Sequence, residues 1–245
     1  MNDVYLYPYS AEEAARRNEL SLWRASHQEN IACKLAIEEA VRQHYDGAHQ
    51  DKECLTEVLQ EFGYKRTAWV LANTIQQLSG DPRISSQNQS WAQQIYIPSD
   101  KRHALEMMVT AHPAAVDRAA DQYRQAYQAL GLLGPSHCEP DSFEKLNYEG
   151  KVLVLAPDTL KESYWNARAQ LWLAHDGFGC SPTAIGRSIR CTCLGDGEMT
   201  RWNRADFIGV LKEEFIPDWA KEKLIELKGQ EQSDVSPTMG GMTME

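Results

Sequence analysis

The chain has 245 residues, of which 42% are hydrophobic, so it can build one large domain or two ordinary ones and is not globally disordered. Its formal net charge of −10 excludes a general nucleic-acid coat, which requires a basic surface. The opening residues, MNDVYLYPYSAEEAARR, lack a basic segment followed by an apolar run, and no stretch approaches a membrane span. We therefore expect a cytoplasmic protein without a membrane partner, whose six cysteines are reduced thiols.

The first half of the chain has the periodicity of a helical domain. Ser10 and Glu13 match a capping box, which predicts a helix from residue 11, and helical composition continues from about residue 19 to Asp46-Gly47. Apolar residues recur at helical spacing over residues 51–62, and Gly63 stands where such a helix would end. Further helices are predicted over residues 64–78, after Asp100, and from about 116 to 130.

The pattern changes after residue 134. Residues 135–150 have the proline, glycine and acidic content of a linker, and the run KVLVL that follows is typical of a buried strand. Pro217 is placed to open a last helix. The sequence therefore predicts an α+β protein. We expect a helical domain over 1–134, a linker over 135–150, a small α+β domain built on an antiparallel hairpin over 151–228, and a disordered tail over 229–245.

The predicted hairpin is the organising element of the second domain. Asp196-Gly197 is typical of a two-residue turn, because glycine readily adopts the positive φ that such a turn requires. This turn would place Cys191 opposite Trp202, whereas a three-residue turn would bury Arg201 against Cys191 and is disfavoured. Because side chains alternate across a strand, the core-facing set is predicted to be Ile189, Cys191, Cys193 and Trp202, and the solvent-facing pair Arg190 and Arg201.

Arginines near the hairpin form the first candidate site. The residues that we expect to bind a partner are Arg187, Arg190, Arg201 and Arg204, with Lys65 and Arg66 as a second small patch. Arginines on a twisted hairpin can hold phosphates, or they can form a solvated face paired with Glu198, Asp206 or Glu213. The net negative charge of the chain favours that solvated face, or an acidic patch on a protein partner, over nucleic acid.

A metal site is the second candidate, with His175, Cys180, Cys191 and Cys193 as ligands. A structural zinc ion requires four ligands in a tetrahedron, which two CxxC motifs usually supply. Here the spacing is HxxxxC followed by CxC, and the alternation along the strand favours cysteines packed in a core. We therefore expect no metal and no other cofactor.

A cysteine nucleophile is the third candidate. In the stretch HDGFGC, Cys180 could act with His175 as its base and Asp176 as the group that orients the base. Five residues of separation do not by themselves bring the thiol and the imidazole together, and an Asp-Gly turn beside a buried cysteine is ordinary. The chain contains no P-loop, GxGxxG or HExxH motif. Catalysis is thus the alternative to a binding function.

Several stretches carry a resemblance that covers most of the chain. They are LYPYSAEEAARRNELSLWRASHQENIACK, EFGYKRTAWVLANT, YEGKVLVLAPDTLKESYW, and the segment from GFGCSP through CLGDGEMTRWNRADFIGVL. These stretches resemble a family of uncharacterised proteins known from conjugative elements, prophages and large polyvalent proteins of gut-dwelling Gram-positive anaerobes. The resemblance implies a role in transfer, in establishment or in countering host restriction or CRISPR, and it implies no catalytic residues.

Together, these features favour a non-enzymatic accessory protein of a mobile genetic element that acts by binding another macromolecule. The expected partner is a protein of the host defence or transfer machinery. The expected contact surfaces are the arginine face and the aromatic residues of the LYPY segment. The alternatives are a cysteine-dependent hydrolase centred on Cys180 and a nucleic-acid-binding module that uses the hairpin arginines.

Overall fold

A computed structural model describes residues 4–45 and 54–234 of the chain. The chain divides into two compact units, residues 1–129 and 130–245. The described part of the first unit is helical, and the second unit contains a five-stranded antiparallel sheet, which confirms the predicted α+β class. Within the described ranges, every helix is too short or too polar to cross a bilayer.

The first unit contains six α-helices in its described residues. Ser10 accepts a hydrogen bond from the Glu13 amide, as the capping box predicts, and Gly63 interrupts the third helix with a φ of +77°. The predicted break at Asp46-Gly47 and residues 51–53 lie outside the described residues. The helices are α1 (Ala11–Arg16), α2 (Leu20–His44), α3 (Thr56–Gln77), α4 (Ser86–Gln93), α5 (Lys101–Glu106) and α6 (Pro113–Ala129).

The second unit is built around a meandering sheet with the strand order β4-β3-β2-β1-β5. Its strands are β1 (Val152–Leu155), β2 (Leu171–Asp176), β3 (Ser188–Cys193), β4 (Met199–Asn203) and β5 (Phe207–Val210). Its α-helices are α7 (Ser142–Lys145), α8 (Ala167–Gln170) and α9 (Asp218–Asp234). Residues 135–150, predicted as a linker, belong to this unit and include α7. The predicted tail begins inside α9, and residues 235–245 lie outside the described residues.

The sheet buries apolar side chains on both faces. One face, here called the cysteine face, carries Trp172, Ala174, Cys180, Ile189, Cys191 and Cys193. The opposite face, here called the helix face, packs Val152, Val154, Leu171 and Leu173 with Ala220 of α9. Alternation along the strands therefore points the thiols of positions 191 and 193 into the core, as the sequence predicts.

The hairpin between β3 and β4 has the predicted faces but not the predicted register. Cys191 pairs with Thr200 rather than with Trp202, and Ile189 pairs with Trp202. The connection is a four-residue loop over 194–197, because Leu194 is buried on the helix face and only Gly197 adopts a positive φ, of +83°. The register differs from the predicted one by two residues, and because the strand period is also two, every side chain keeps its predicted face.

Candidate protein-binding surface

Arg190 and Arg201 form a directly opposed cross-strand pair on the hairpin. Arg190 forms an ion pair with Asp176 of β2, with Nη2 and Oδ2 2.5 Å apart, and this hydrogen bond lowers the pKa of the Asp176 carboxyl. Arg201 is exposed and forms no ion pair with a described residue, although its charge also contributes to the lowered pKa of the Asp176 carboxyl. The hairpin thus presents two arginines near Asp176, and only Arg190 forms an ion pair with it.

Glycines let the start of the loop over residues 177–187 lie close to the residues that lead into β3. A Cβ atom on Gly177 would lie 2.4 Å from the carbonyl oxygen of Ser188, and one on Gly179 would lie 2.2 Å from that of Arg187. Both distances are shorter than any tolerable contact, so only glycine permits this approach. The start of the loop is therefore packed, whereas residues 185–187 are exposed.

Two large apolar side chains are exposed on this loop. Phe178 is 79% exposed and Ile185 is 99% exposed. A shallow groove of about 470 Å³ has Phe178 in its lining, together with Asn147, Glu149, Ala184, Ser188 and Arg201. Met199 is exposed and lies on the same face of β4 as Arg201. We call the exposed side chains of Phe178, Ile185, Arg187, Met199 and Arg201 the loop–hairpin surface.

Arg187 belongs to this surface, whereas Arg204 does not. The Arg187 side chain is exposed and donates only to the carbonyl oxygen of Pro182, at 3.4 Å. Arg204 is 0% exposed, so the prediction that it binds a partner is wrong. Its guanidinium lies 3.6 Å from the centroid of the Tyr148 ring and donates to main-chain carbonyl oxygens of Ser142, Phe143, Leu146, Gly179 and Cys180.

The second predicted patch is also not a pair of surface cations. Arg66 is buried and donates to the carbonyl oxygens of Val4 and Ser26 and to Oδ1 of Asn30. Lys65 is only half-buried. The buried guanidinium holds the N-terminal residues against α2, so Arg66 has a structural role.

The LYPY segment is largely packed against the first unit. The Tyr7 side chain is buried and donates its hydroxyl to Glu19 at 2.5 Å, while Arg17 lies over the ring of Tyr9. Tyr9 keeps 39% exposure, and Tyr5, directly before the segment, is 72% exposed. The aromatic rings left for a contact surface here are therefore those of Tyr5 and Tyr9.

The structure does not bring Cys180 and His175 together. His175 places Nε2 2.7 Å from the hydroxyl of Thr192, which projects from the face opposite to Cys191. Cys180 packs in the cysteine-face core, where burial raises the pKa of its thiol. Asp176 forms an ion pair with Arg190. A nucleophilic thiolate with an adjacent base is not assembled here.

The predicted zinc ligands are separated in the same way. Cys180, Cys191 and Cys193 lie in one core, whereas His175 lies on the other side of the sheet. Burial raises the pKa of Cys191 to about 12 and that of Cys193 to about 11. Across residues 4–45 and 54–234, no cluster of three or more His, Cys, Asp or Glu side chains has the geometry to hold a metal ion.

Sequence reasoning did not single out Phe178, Ile185 or Met199. The signal for the first two is their setting in GFGCSPTAIGR, where large apolar residues interrupt a run of glycine, serine and proline. Such a run predicts a surface loop, so an apolar residue within it is a candidate for exposure. Met199 is the first residue of β4. Its place on the strand predicts which face it lies on but not whether its side chain is exposed.

One comparison with known proteins gives a match. Residues 6–128, half of the chain, match the model of a family described as "Protein of unknown function (DUF3849)". The chain belongs to the DUF3849 family. No curated protein and no solved structure matches it. The matched residues lie in the helical unit, so the loop–hairpin surface is outside the part that defines membership of the DUF3849 family.

Proposed function

We propose that this DUF3849 member is a non-enzymatic binding protein that recognises another protein through the loop–hairpin surface. The observation that carries the proposal is the 79% exposure of Phe178 and the 99% exposure of Ile185 on one loop. Protein interfaces are enriched in aromatic residues, methionine and arginine, and this surface combines them. The start of the loop, which carries Phe178, is packed close to the residues before β3, so this ring needs little ordering on binding.

The charge of the surface favours an acidic protein partner. Arg187 and Arg201 are exposed, whereas the ion pair with Asp176 compensates Arg190. The rest of the chain is acidic, with a formal net charge of −10, so a nucleic acid would be repelled beyond the immediate neighbourhood of these arginines. A protein that is acidic only in a short segment can contact the same arginines without placing further negative charge against the rest of the chain.

The biological setting of the proposal is a mobile genetic element. Its support is the sequence resemblance to proteins of conjugative elements and prophages. In that setting, the partner is a protein of host restriction, CRISPR or the transfer machinery. The hydrolase alternative has less support, because the raised pKa of Cys180 and the distance of His175 from its core oppose thiolate chemistry.

A photo-crosslinking experiment tests this function. A photoreactive amino acid replaces Ile185 in one sample and the exposed residue Lys101 of α5 in the control sample. In lysate of a host bacterium, we expect one protein to crosslink at position 185 and not at position 101. Phe178→Ser should remove that crosslink, because it deletes the neighbouring apolar contact. Equal crosslinking at both positions, or no crosslinking at position 185, would contradict the proposal.

A further inference from the structure

The two edge strands of the sheet differ in how they are covered. The outer side of β5 is occupied by residues 138–142, because the Glu139 amide donates to the Val210 carbonyl oxygen at 2.8 Å. The Val210 amide in turn donates to the hydroxyl of Ser142 at 3.2 Å. At the opposite edge, the outer side of β4 has no such cover from the described residues.

The hydrogen bonds between β3 and β4 identify which backbone amide and carbonyl groups of β4 point away from β3. The Cys193 amide donates to the Glu198 carbonyl oxygen, and the Arg204 amide donates to that of Arg187, each at 2.8 Å. In an antiparallel pair, the backbone groups of every second residue point toward the partner strand, and those of the residues between them point away. Counting from Glu198 and Arg204, the backbone groups of Thr200 and Trp202 also point toward β3. Met199 and Arg201 therefore direct their amide and carbonyl groups toward the open edge. The next outward amide, that of Asn203, already donates to Asp206 at 2.8 Å.

Charge determines what this edge can accept. If two copies of β4 paired, their Arg201 side chains would lie directly opposite or on the diagonal, at about 5–8 Å, and would repel each other. An exposed cation on an edge strand is a recognised protection against such self-pairing. The same arginine attracts a strand that carries carboxylates on the corresponding face.

We propose that β4 binds an extended acidic segment of the partner protein, which adds to the sheet as a sixth strand. This inference rests on the proposed protein-binding function and specifies the bound segment. The added strand pairs with the outward groups of Met199 and Arg201. Its alternate side chains lie on the face of Arg190 and Arg201, where carboxylates are favoured, and the others lie beside Thr200 and Trp202, where apolar residues are favoured.

The acidic partner segment must approach a chain of net charge −10. At physiological ionic strength, charges interact over about 8 Å, so the nearby arginines dominate over distant carboxylates. The turn of the hairpin carries Asp196 and Glu198, both exposed, whereas Arg187 lies near the other end of β4. The carboxylates of the segment are therefore expected beside Arg201 and away from the turn.

Binding of two designed peptides tests the proposal. The probe is a fluorescent eight-residue peptide of alternating glutamate and valine, and its matched control has the same composition in the order Glu-Glu-Val-Val repeated. Only the alternating peptide, as a strand, puts all its carboxylates on one face. We expect the alternating peptide to bind the full chain about tenfold more tightly than the control, measured by fluorescence anisotropy. Equal binding of the two peptides would overturn strand addition.

Two variants separate the backbone contribution from the charge contribution. Arg201→Glu reverses the charge, and Met199→Pro removes one outward amide while it leaves all charges unchanged. Each should weaken binding of the alternating peptide about tenfold, whereas Lys101→Glu, with the same charge change at an exposed site of the first unit, should leave it unchanged. Loss of binding with Arg201→Glu alone, and none with Met199→Pro, would overturn strand addition in favour of charge contact.

Hydrogen exchange supplies a direct readout of the added strand. Addition to β4 should slow exchange of the Met199 and Arg201 amides when the peptide is bound, and unchanged exchange at both would overturn the proposal. If the Ile185 crosslink forms although the alternating peptide does not bind, strand addition fails and protein binding stands. If the peptide binds with amide protection but Ile185 captures no protein, the proposed protein-binding function fails. Tighter binding of a ten-nucleotide oligothymidylate would overturn the choice of an acidic protein segment.

Discussion

The two edge strands of the sheet in the second unit differ in whether other residues of the chain cover their outward backbone groups. Both β4 and β5 leave a row of backbone groups without a neighbouring strand. At β5, residues 138–142 supply partners for Val210, and α7 follows directly. At β4, Arg201 stands beside outward groups that no described residue covers. The chain thus covers one edge with its own backbone, and the other edge, left open by the described residues, is the one at which we propose binding.

The covered edge depends on a buried charge. Arg204 follows β4 in the chain, yet its guanidinium extends beneath residues 142–146 and donates to their carbonyl oxygens. It also binds the carbonyl oxygens of Gly179 and Cys180 at 2.8 and 2.9 Å. One side chain thus joins the cover of β5 to the base of the exposed loop. The open surface and the covered edge are therefore linked through a single residue.

The largest expected effect is on stability, from Arg204→Met. Methionine fills similar volume but removes the donor of the Phe143, Leu146 and Gly179 carbonyl oxygens, whereas those of Ser142 and Cys180 keep main-chain donors. The loss costs about 3–5 kcal/mol in the free energy of unfolding of the second unit. Hydrogen exchange of the β1 amides measures this free energy. Arg187→Met, at an exposed position, is the matched control and should change it by less than about 0.5 kcal/mol. Equal effects of the two substitutions would show that Arg204 does not hold the covered edge.

Proline substitutions at adjacent positions of β4 should differ sharply. Thr200 pairs with Cys191 through main-chain hydrogen bonds, so Thr200→Pro removes a bond of the sheet and should cost about 2–3 kcal/mol. Met199 directs its amide outward, so Met199→Pro should cost less than about 1 kcal/mol. Urea unfolding of the two variants checks the order. Similar losses for both would mean that the outer side of β4 is not open.

The covered edge can be tested further through Gly209. A Cβ atom at this position would lie 2.2 Å from the hydroxyl oxygen of Ser142, so Gly209→Ala should cost about 1–3 kcal/mol through crowding. In a Ser142→Ala background that oxygen is absent, and the cost of Gly209→Ala should fall. A double-mutant cycle of the unfolding free energies measures this coupling. Additive costs would contradict a close contact between β5 and residue 142.

Much of this arrangement could be predicted from local sequence, because it depends on periodicity. The cap at Ser10, the break at Gly63 and the inward direction of Cys191 and Cys193 follow from helical and strand patterns. The faces of the hairpin were predicted correctly although its register was wrong, because a shift of two residues preserves both faces.

The remaining features depend on contacts distant in sequence. The polar neighbours of Arg204 in the sequence predict a surface residue. Its burial depends on carbonyl oxygens about 60 residues earlier, such as that of Phe143, which accept hydrogen bonds from its guanidinium. Arg66 is similar, since its acceptor on Val4 lies 62 residues away. The separation of His175 from Cys180 follows from the strand face, which the HDGFGC motif alone does not reveal. Residue type alone therefore does not determine which of these side chains face solvent, because packing between segments distant in sequence decides it.

The smallest expected effect concerns the ion pair beside the open edge. The hydrogen bond from Arg190 lowers the pKa of Asp176 below its ordinary value of 3.8, so the pair stabilises the fold at neutral pH. That contribution is present above the ordinary pKa and is lost as the pH falls through the lowered one. Asp176→Asn should therefore reduce the urea midpoint slightly at pH 7, and the difference from the original chain should vanish in strong acid.

The same substitution has the opposite effect on binding. Asp176→Asn removes a negative charge that lies near both Arg190 and Arg201, so the alternating glutamate–valine peptide should bind this variant more tightly than the original chain. Glu222→Gln, at an exposed carboxylate of α9, makes the same charge change elsewhere and should alter neither the urea midpoint nor the affinity. Weaker peptide binding to Asp176→Asn would indicate that Asp176 positions Arg190 for the partner. In that case the ion pair would promote binding at the open edge rather than weaken it.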